Sequence, residues 1–357
     1  MANLSMTTRW LKAGTLASLI SLPAIAQPGI ESTHSSSLPG SQKAYAPAVA
    51  APAAREEKTG PGAEFLKYWK SGLAELSSYA ITAERYGEMR KAQGVLVFVY
   101  EEINADTRVK VESDKTPPAK RVPVLKLNSV LKFTTGVYDY SIMTSVFAGL
   151  SGPGVQRPLQ PQKVSFTSQE WCGNVFHQVI PRPKGLFSEI HSYFEAEGDA
   201  VTTLPYPDAG NSNRGVNAPG TFYYEDEMPI LVRELDGPFA EAGAPLRMQL
   251  VPGLWERRKR HVPLAFTEAV LTKVGPETLA FKGKSRKAVK WTLETMGMTA
   301  TYHVEAGAPR KLLAWENSRG EKGELIASIR SAYWEHNRNV DAPLRKQLGL
   351  TFGVGGD

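Results

Sequence analysis

Apolar and polar residues alternate with a period of two along most of the chain from residue 79 to residue 335, and Val, Ile, Tyr, Phe and Thr recur throughout. Such alternation puts one face of an extended strand into a core and the other into solvent. The first series predicts strands at "YAITAERYG" (79–87), "GVLVFVYEE" (94–102), "TRVKVES" (107–113), "VPVLKLNSVLKF" (122–133) and "VYDYSIMTSVF" (137–147). It continues through "KVSFTSQEW" (163–171), "VFHQVIP" (175–181) and "GLFSEIHSYF" (185–194). A loop-like stretch, 199–220, separates it from a second series. That series runs "LRMQLV" (246–251), "FTEAVLTKV" (266–274), "ETLAFKGK" (277–284), "AVKWTLET" (288–295), "TATYHVE" (299–305), "RKLLAWEN" (310–317) and "GELIASIRSAYW" (323–334), with "VGPET" and "EAGAPR" as tight turns.

Long helices do not alternate with these strands, which argues against a doubly wound parallel sheet. The expected class is mainly β: an antiparallel curled sheet, or half-barrels, with a few short helices. Two helices are expected. One covers "AEFLKYWKSGLAEL" (63–76), where Phe65, Leu66, Trp69 and Leu73 share a face. The other covers "EDEMPILVREL" (225–235), opened by acids that suit a helix N-terminus. The expected organisation is an N-terminal β-rich half (63–200), a C-terminal β-rich half (221–335) and a tail (336–357).

The first sixty residues carry none of this pattern. Arg9 and Lys12 precede a short uncharged apolar run, and Ala24-Ile25-Ala26 fits the small-x-small rule for signal-peptide cleavage after Ala26. No cysteine follows that run to accept a lipid. Residues 27–60 are rich in Ser, Ala, Pro and Gly and predict a disordered tether. The expected location is therefore the periplasm or the extracellular space. A net charge of +6 over 357 residues is mild. Together with export, it argues against a dedicated nucleic-acid binder. One cysteine excludes an internal disulfide.

Several stretches are similar to known proteins. "YWKSGLAELSSYAITAERYGE", "VLVFVYEE", "VLKLNSVLKFTTGVYDYSIMTSVF", "TSQEWCG" and "SYFEAEGD" resemble a family of uncharacterised exported bacterial proteins whose members bear the label septum formation inhibitor Maf. The resemblance covers most of residues 63 to 335. The phosphate-binding loop of true Maf nucleotide pyrophosphatases, with its Ser and paired Arg, is absent from this sequence. "TYHVEAGAPRKLLAWENSRGEKGELIASIRSAYW" is similar to periplasmic curled-sheet domains of unknown function. These in turn resemble the half-barrels of lipoprotein carriers. The second resemblance implies an apolar concavity able to cup an acyl chain.

Candidate chemistry is sparse. Cys172 and His177 lie five residues apart in "TSQEWCGNVFHQV". If 163–171 and 175–181 pair through a Cys172-Gly173-Asn174 loop, Trp171 faces Val175 and Gln169 faces His177. The thiol is then too far from the imidazole for a nucleophile and base. His177, His191, His261, His303 and His336 are dispersed without metal-ligand spacing. Glu101-Glu102 and Glu225-Asp226-Glu227 are expected at a strand end and in a solvated first helical turn. No nucleotide or cofactor fingerprint is present, and no cofactor is expected. The basic runs "WERRKRH" (255–261) and "KGKSRKAVK" (282–290) are expected at the surface. In the first, Arg257, Arg258, Lys259 and Arg260 could meet anionic headgroups in a peripheral membrane contact. Phe133, Tyr138, Tyr140, Met143 and Phe147 are the candidate wall of an apolar ligand cavity.

These features favour a non-enzymatic envelope protein that binds a lipid-like ligand or a partner protein. The alternatives are a periplasmic hydrolase built on dispersed residues such as His177 or His191, and a scaffold with neither ligand nor chemistry.

Overall fold

The computed structural model describes residues 61–207 and 222–350. The expected signal peptide and tether lie outside the described residues, as do 208–221 and the last seven residues. The described chain is mainly β, as the alternation requires. Its strands form one 15-stranded sheet with a few short helices.

Eight strands lead off in chain order: β1 (Ala74–Arg85), β2 (Glu88–Asn104), β3 (Arg121–Thr135), β4 (Tyr138–Gly149), β5 (Gln160–Glu170), β6 (Gly173–Arg182), β7 (Gly185–Ser192) and β8 (Asp199–Leu204). Each pairs antiparallel with the next. The other seven are β9 (Tyr223–Tyr224), β10 (Pro245–Val251), β11 (Thr267–Phe281), β12 (Lys284–Thr295), β13 (Met298–Glu305), β14 (Leu312–Asn317) and β15 (Lys322–Ser331). β15 returns to pair antiparallel with β1, so both strand series share one sheet. Its edges are β8 and β9, which follow one another in sequence.

Sheet twist and alternation curl the sheet around its apolar face. The curl brings the two edges together. Tyr206, just past β8, packs its ring 5.5 Å from that of Phe222, just before β9. Arg157, in the β4–β5 loop, donates to the Phe222 carbonyl at 3.2 Å and to Glu227 Oε1 at 2.8 Å.

Three short helices pack against the sheet: α1 (Ala63–Trp69), α2 (Met228–Leu231) and α3 (Leu254–Arg260). A seven-residue helix is marginal alone, so packing must hold it. Phe65 and Trp69 of α1 are buried, and the Trp69 ring lies 5.9 Å from that of Phe98 of β2. Arg233, just past α2, lies over the Phe98 ring and pairs with Glu75 of β1 at 2.8 Å. Both members of that pair are only 1% exposed.

Several local expectations need correction. The first helix ends at Trp69 rather than at 76, because Gly72 turns the chain at φ 76° and residues from Ala74 enter β1. Leu73 is exposed rather than on a buried face. "TRVKVES" makes a single bridge, Ile103 to Lys110, within the β2–β3 connection and no strand. The start of the loop-like stretch is β8. "VGPET" does not reverse the chain. Gly275 absorbs a bulge at φ 130°, and β11 runs through it as one long strand. The second helix is shorter than 225–235: Glu225–Glu227 form a 3-10 turn, and α2 adds only one turn. In the tail, Leu348 is buried against β1 and β15, and its carbonyl accepts the Ser78 hydroxyl at 2.5 Å.

Candidate functional site: an interior apolar cavity

The β5–β6 hairpin settles the cysteine question. Its turn is two residues, Trp171 and Cys172, with Glu170 opposite Gly173 and Gln169 opposite Asn174. His177 therefore faces Phe166 rather than Gln169. Cys172 is exposed. The Glu170 carboxylate nearby pushes its thiol above the ordinary range. His177 is 1% exposed, and its Nε2 shares a 2.8 Å hydrogen bond with Ser188 Oγ. Burial, helped by the Arg257 charge, depresses it to about 3. It is a neutral core histidine. His191 lies on the opposite face, stacked on Phe176 and close to Glu189 and Asp199. The structure does not bring these groups together.

Strand parity divides the expected ligand wall. Phe133 and Tyr140 are buried and stacked with centroids 4.8 Å apart, and Tyr138 leans on Tyr140 at 5.8 Å. Met143 and Phe147 lie on the other face of β4, where the Phe147 ring carries the Lys163 ammonium. Met143 is exposed and borders a shallow outer hollow with Ser141 and Thr167. The inward residues of β4 are Ile142, Thr144 and Val146. They line a cavity of about 240 Å³, while none of the five expected residues does.

That cavity sits between two walls of the curled sheet. One wall offers Ile81, Leu96, Leu131 and the β4 residues; the other offers Met298, Ala300 and Tyr302 of β13 with Leu312 and Trp315 of β14. The Trp315 indole lies across Gly323, its partner on β15, where any Cβ would collide with the ring. Glycine there lets the indole lie flat against the wall.

One end of the cavity is acidic. Glu225, Asp226, Glu256 and Glu321 all line it. Glu225 Oε2 accepts the Gly253 N–H at 2.9 Å, and Asp226 Oδ2 accepts the Leu254 N–H at 3.0 Å. Burial, resisted by the Leu254 N–H and reinforced by the Glu225, Glu256 and Glu227 charges, pushes Asp226 up to about 7. Glu225 is raised for the same main reason, burial. Glu227 is raised by burial too, against the pull of Arg157. The expectation of a solvated acidic helix turn is therefore wrong. Glu227 is buried, Glu225 and Asp226 are half-buried, and Tyr224, Met228 and Ile230 around them are buried.

The basic run also departs from expectation. Residues 254–260 are α3, which spans the mouth of the curl, and Arg258 and Lys259 are buried rather than at the surface. Arg258 pairs with Glu197 beyond β7 at 3.1 Å, and Lys259 pairs with Glu321 before β15 at 2.6 Å. Acids on both sides draw the two cations inward, so α3 struts the two sides of the curl. Arg257 is half-buried; Arg260 is exposed and pairs with Glu256 at 2.9 Å. Trp255 of α3 stacks on Phe166 and meets Tyr140 at a tilt, both at 6.3 Å between ring centroids, and lines the cavity.

Sequence reasoning missed Glu225 and Asp226. Their signal was context: "EDE" is wedged between the aromatic "FYY" and the apolar "MPILV", surroundings that place charged side chains in a core. Among the described residues, no three His, Cys, Asp or Glu side chains are grouped as a metal ion would require. No helix among them is long and apolar enough to cross a membrane.

No family model matches the chain, and no curated protein matches it. Among solved structures the chain is similar to a β-barrel-like protein of a domain of unknown function (DUF1849) from Brucella abortus. The two share 9% identity and a TM-score of 0.40 over 72% of this chain and 98% of that one.

Proposed function

We propose that this is an exported envelope protein that binds an apolar, lipid-like molecule inside its curled sheet, without chemistry of its own. The observation that carries this reading is the interior cavity of about 240 Å³ walled by Ile, Leu, Val, Met and aromatic side chains. An apolar cavity of roughly 150 Å³ suffices for benzene, and drug-sized sites begin near 300 Å³. The space therefore suits a small apolar molecule or one short segment of an acyl or isoprenyl chain.

An enzyme reading has one observation in its favour, the Asp226 carboxyl at about 7, a value suited to general acid or base work. The described residues lining the cavity include no His, Cys or Lys to act beside it. Binding is the better supported reading.

The test is extraction of the protein, purified from periplasm without detergent, followed by mass spectrometry of the organic phase. A stoichiometric lipid-like molecule is expected from the native protein and none from Ala300→Phe, which fills the cavity from β13. Extracts equally empty for both proteins, with no shift in melting temperature on adding short-chain apolar probes, would remove this reading.

A further inference from the structure

The four carboxylates at the end of the cavity are not equivalent. Glu256 meets Lys259 at 2.6 Å and Arg260 at 2.9 Å, and Glu321 meets Lys259 at 2.6 Å. Glu225 and Asp226 have no ion pair among the described residues. Each spends one oxygen on a backbone N–H, of Gly253 or Leu254, and the other oxygen has no hydrogen-bond partner among those residues. Both side chains are half-buried and line a cavity whose other lining is mostly apolar, with Ser129, Thr144 and Asn317 among it. Two adjacent carboxylates in such a place are unfavourable when ionised unless a cation joins them.

We propose that the cavity selects an amphiphile with a protonated amine head, its ammonium seated between Glu225 and Asp226 and its apolar body along β3, β4 and β13. This rests on the binding reading above and names the ligand's head. An ammonium offers three donors and a full charge to the two vacant oxygens, and charge-assisted bonds are roughly twice as strong as neutral ones. A hydroxyl head can donate only once and leaves the charge uncompensated. A carboxylate head adds a further like charge to a site that already holds Glu225, Asp226, Glu256 and Glu321.

The site should couple amine binding to proton release. Groups facing the pair are Glu227 on the same turn, Glu256 and Lys259 on α3, Arg319 and Glu321 between β14 and β15, and Tyr302 on β13. With Asp226 at about 7, the empty cavity holds a proton below neutrality, and the incoming ammonium must displace it. An alkylamine stays charged, as a lysine does, across that range. Affinity for the amine should therefore rise as pH rises through 7, while affinity for an alcohol should not.

Hexylamine, 1-hexanol and hexanoate share one body and differ in the head. Calorimetric titration of the full chain with each, at pH 8 and pH 5.5, tests the inference. Expected at pH 8 is hexylamine at least about tenfold tighter than hexanol, hexanoate undetectable, and the amine preference shrinking at pH 5.5. The variant E225Q/D226N keeps the acceptors for the two N–H groups and should bind amine and alcohol alike. Equal binding of amine and alcohol by the native protein, or an amine preference that survives E225Q/D226N, would overturn the head-group inference and leave the cavity reading standing. Amine binding unaffected by Ala300→Phe would place it outside the cavity and overturn the inference as well. Failure of all three probes to bind would overturn the cavity reading itself. The pH profile of the native protein needs no variant, so a poorly folding E225Q/D226N does not shelter the inference.

Discussion

Asp226 Oδ2 accepts the backbone N–H of Leu254 at 3.0 Å, which ties the enclosed acidic turn to the first residue of the strut α3. Burial raises this carboxyl from its ordinary 3.8 to about 7. An acid whose pKa is higher folded than unfolded stabilises the fold while protonated. That contribution is complete below the ordinary 3.8 and is lost as pH rises through 7. Asp226→Asn should therefore gain stability relative to the native chain at pH 8, by a few kcal/mol at most, since each tenfold change in proton affinity is worth about 1.4 kcal/mol. At pH 4 the two should nearly coincide. Urea melts at both pH values check this, and a variant equally destabilised at both would contradict it.

Glu75 and Arg233 make a second linkage of opposite kind. Burial works to raise the Glu75 carboxyl, but the Arg233 guanidinium and hydrogen bonds from it and from Tyr68 reverse this and hold it below the ordinary range. Removing one partner strands a buried charge, so Glu75→Gln or Arg233→Met alone should cost about 3–5 kcal/mol. Replacing both, Glu75→Leu with Arg233→Met, should recover much of that loss. A double-mutant cycle in urea measures the coupling. Additive losses would show that the pair is not the connection between β1 and the segment after α2.

How far these sites are legible in the sequence varies with the physics behind them. Alternation is local, so the mainly β class and most strands are plain in the residues, and "VPVLKLNSVLKF" (122–133) lies wholly within β3. Pairing between distant strands is not local. Nothing in "AELSSY" announces that Ala74 lies beside Ser331. The aromatic residues singled out in the sequence do not line the cavity, because the parity of β4 turns Ile142, Thr144 and Val146 toward it and leaves Met143 and Phe147 on the other face. The charged runs mislead through one rule that fails twice. Charge usually means solvent, but Lys259 and Arg258 have acids waiting on both sides, and Glu225 and Asp226 are carried inward by the apolar residues around them.

His177 gives a prediction that needs no mutation. Its imidazole is depressed to about 3 by burial and by Arg257, so it should stay neutral across the physiological range. Its contribution to stability is present above the ordinary 6.5 and lost as pH falls toward 3, the opposite slope to Asp226. An NMR titration of the ring proton should show no midpoint between pH 5 and 8. A midpoint near 6.5 would mean that the ring reaches solvent and that the β6–β7 contact with Ser188 opens.

Cys172 should prove inert for an exposed thiol. It sits at the tip of a two-residue turn beside Glu170, whose negative charge disfavours the thiolate, the form that reacts. Iodoacetamide at pH 7 should modify it several-fold more slowly than a free cysteine in solution, and Glu170→Gln should speed the reaction. Cys172→Ser, whose hydroxyl can keep the contact with Glu170, should leave stability within about 0.5 kcal/mol of the native chain, as exposed substitutions usually do. Rapid alkylation at pH 6, unchanged in Glu170→Gln, would instead mark a thiol activated by a neighbour, and would reopen a catalytic role at this turn.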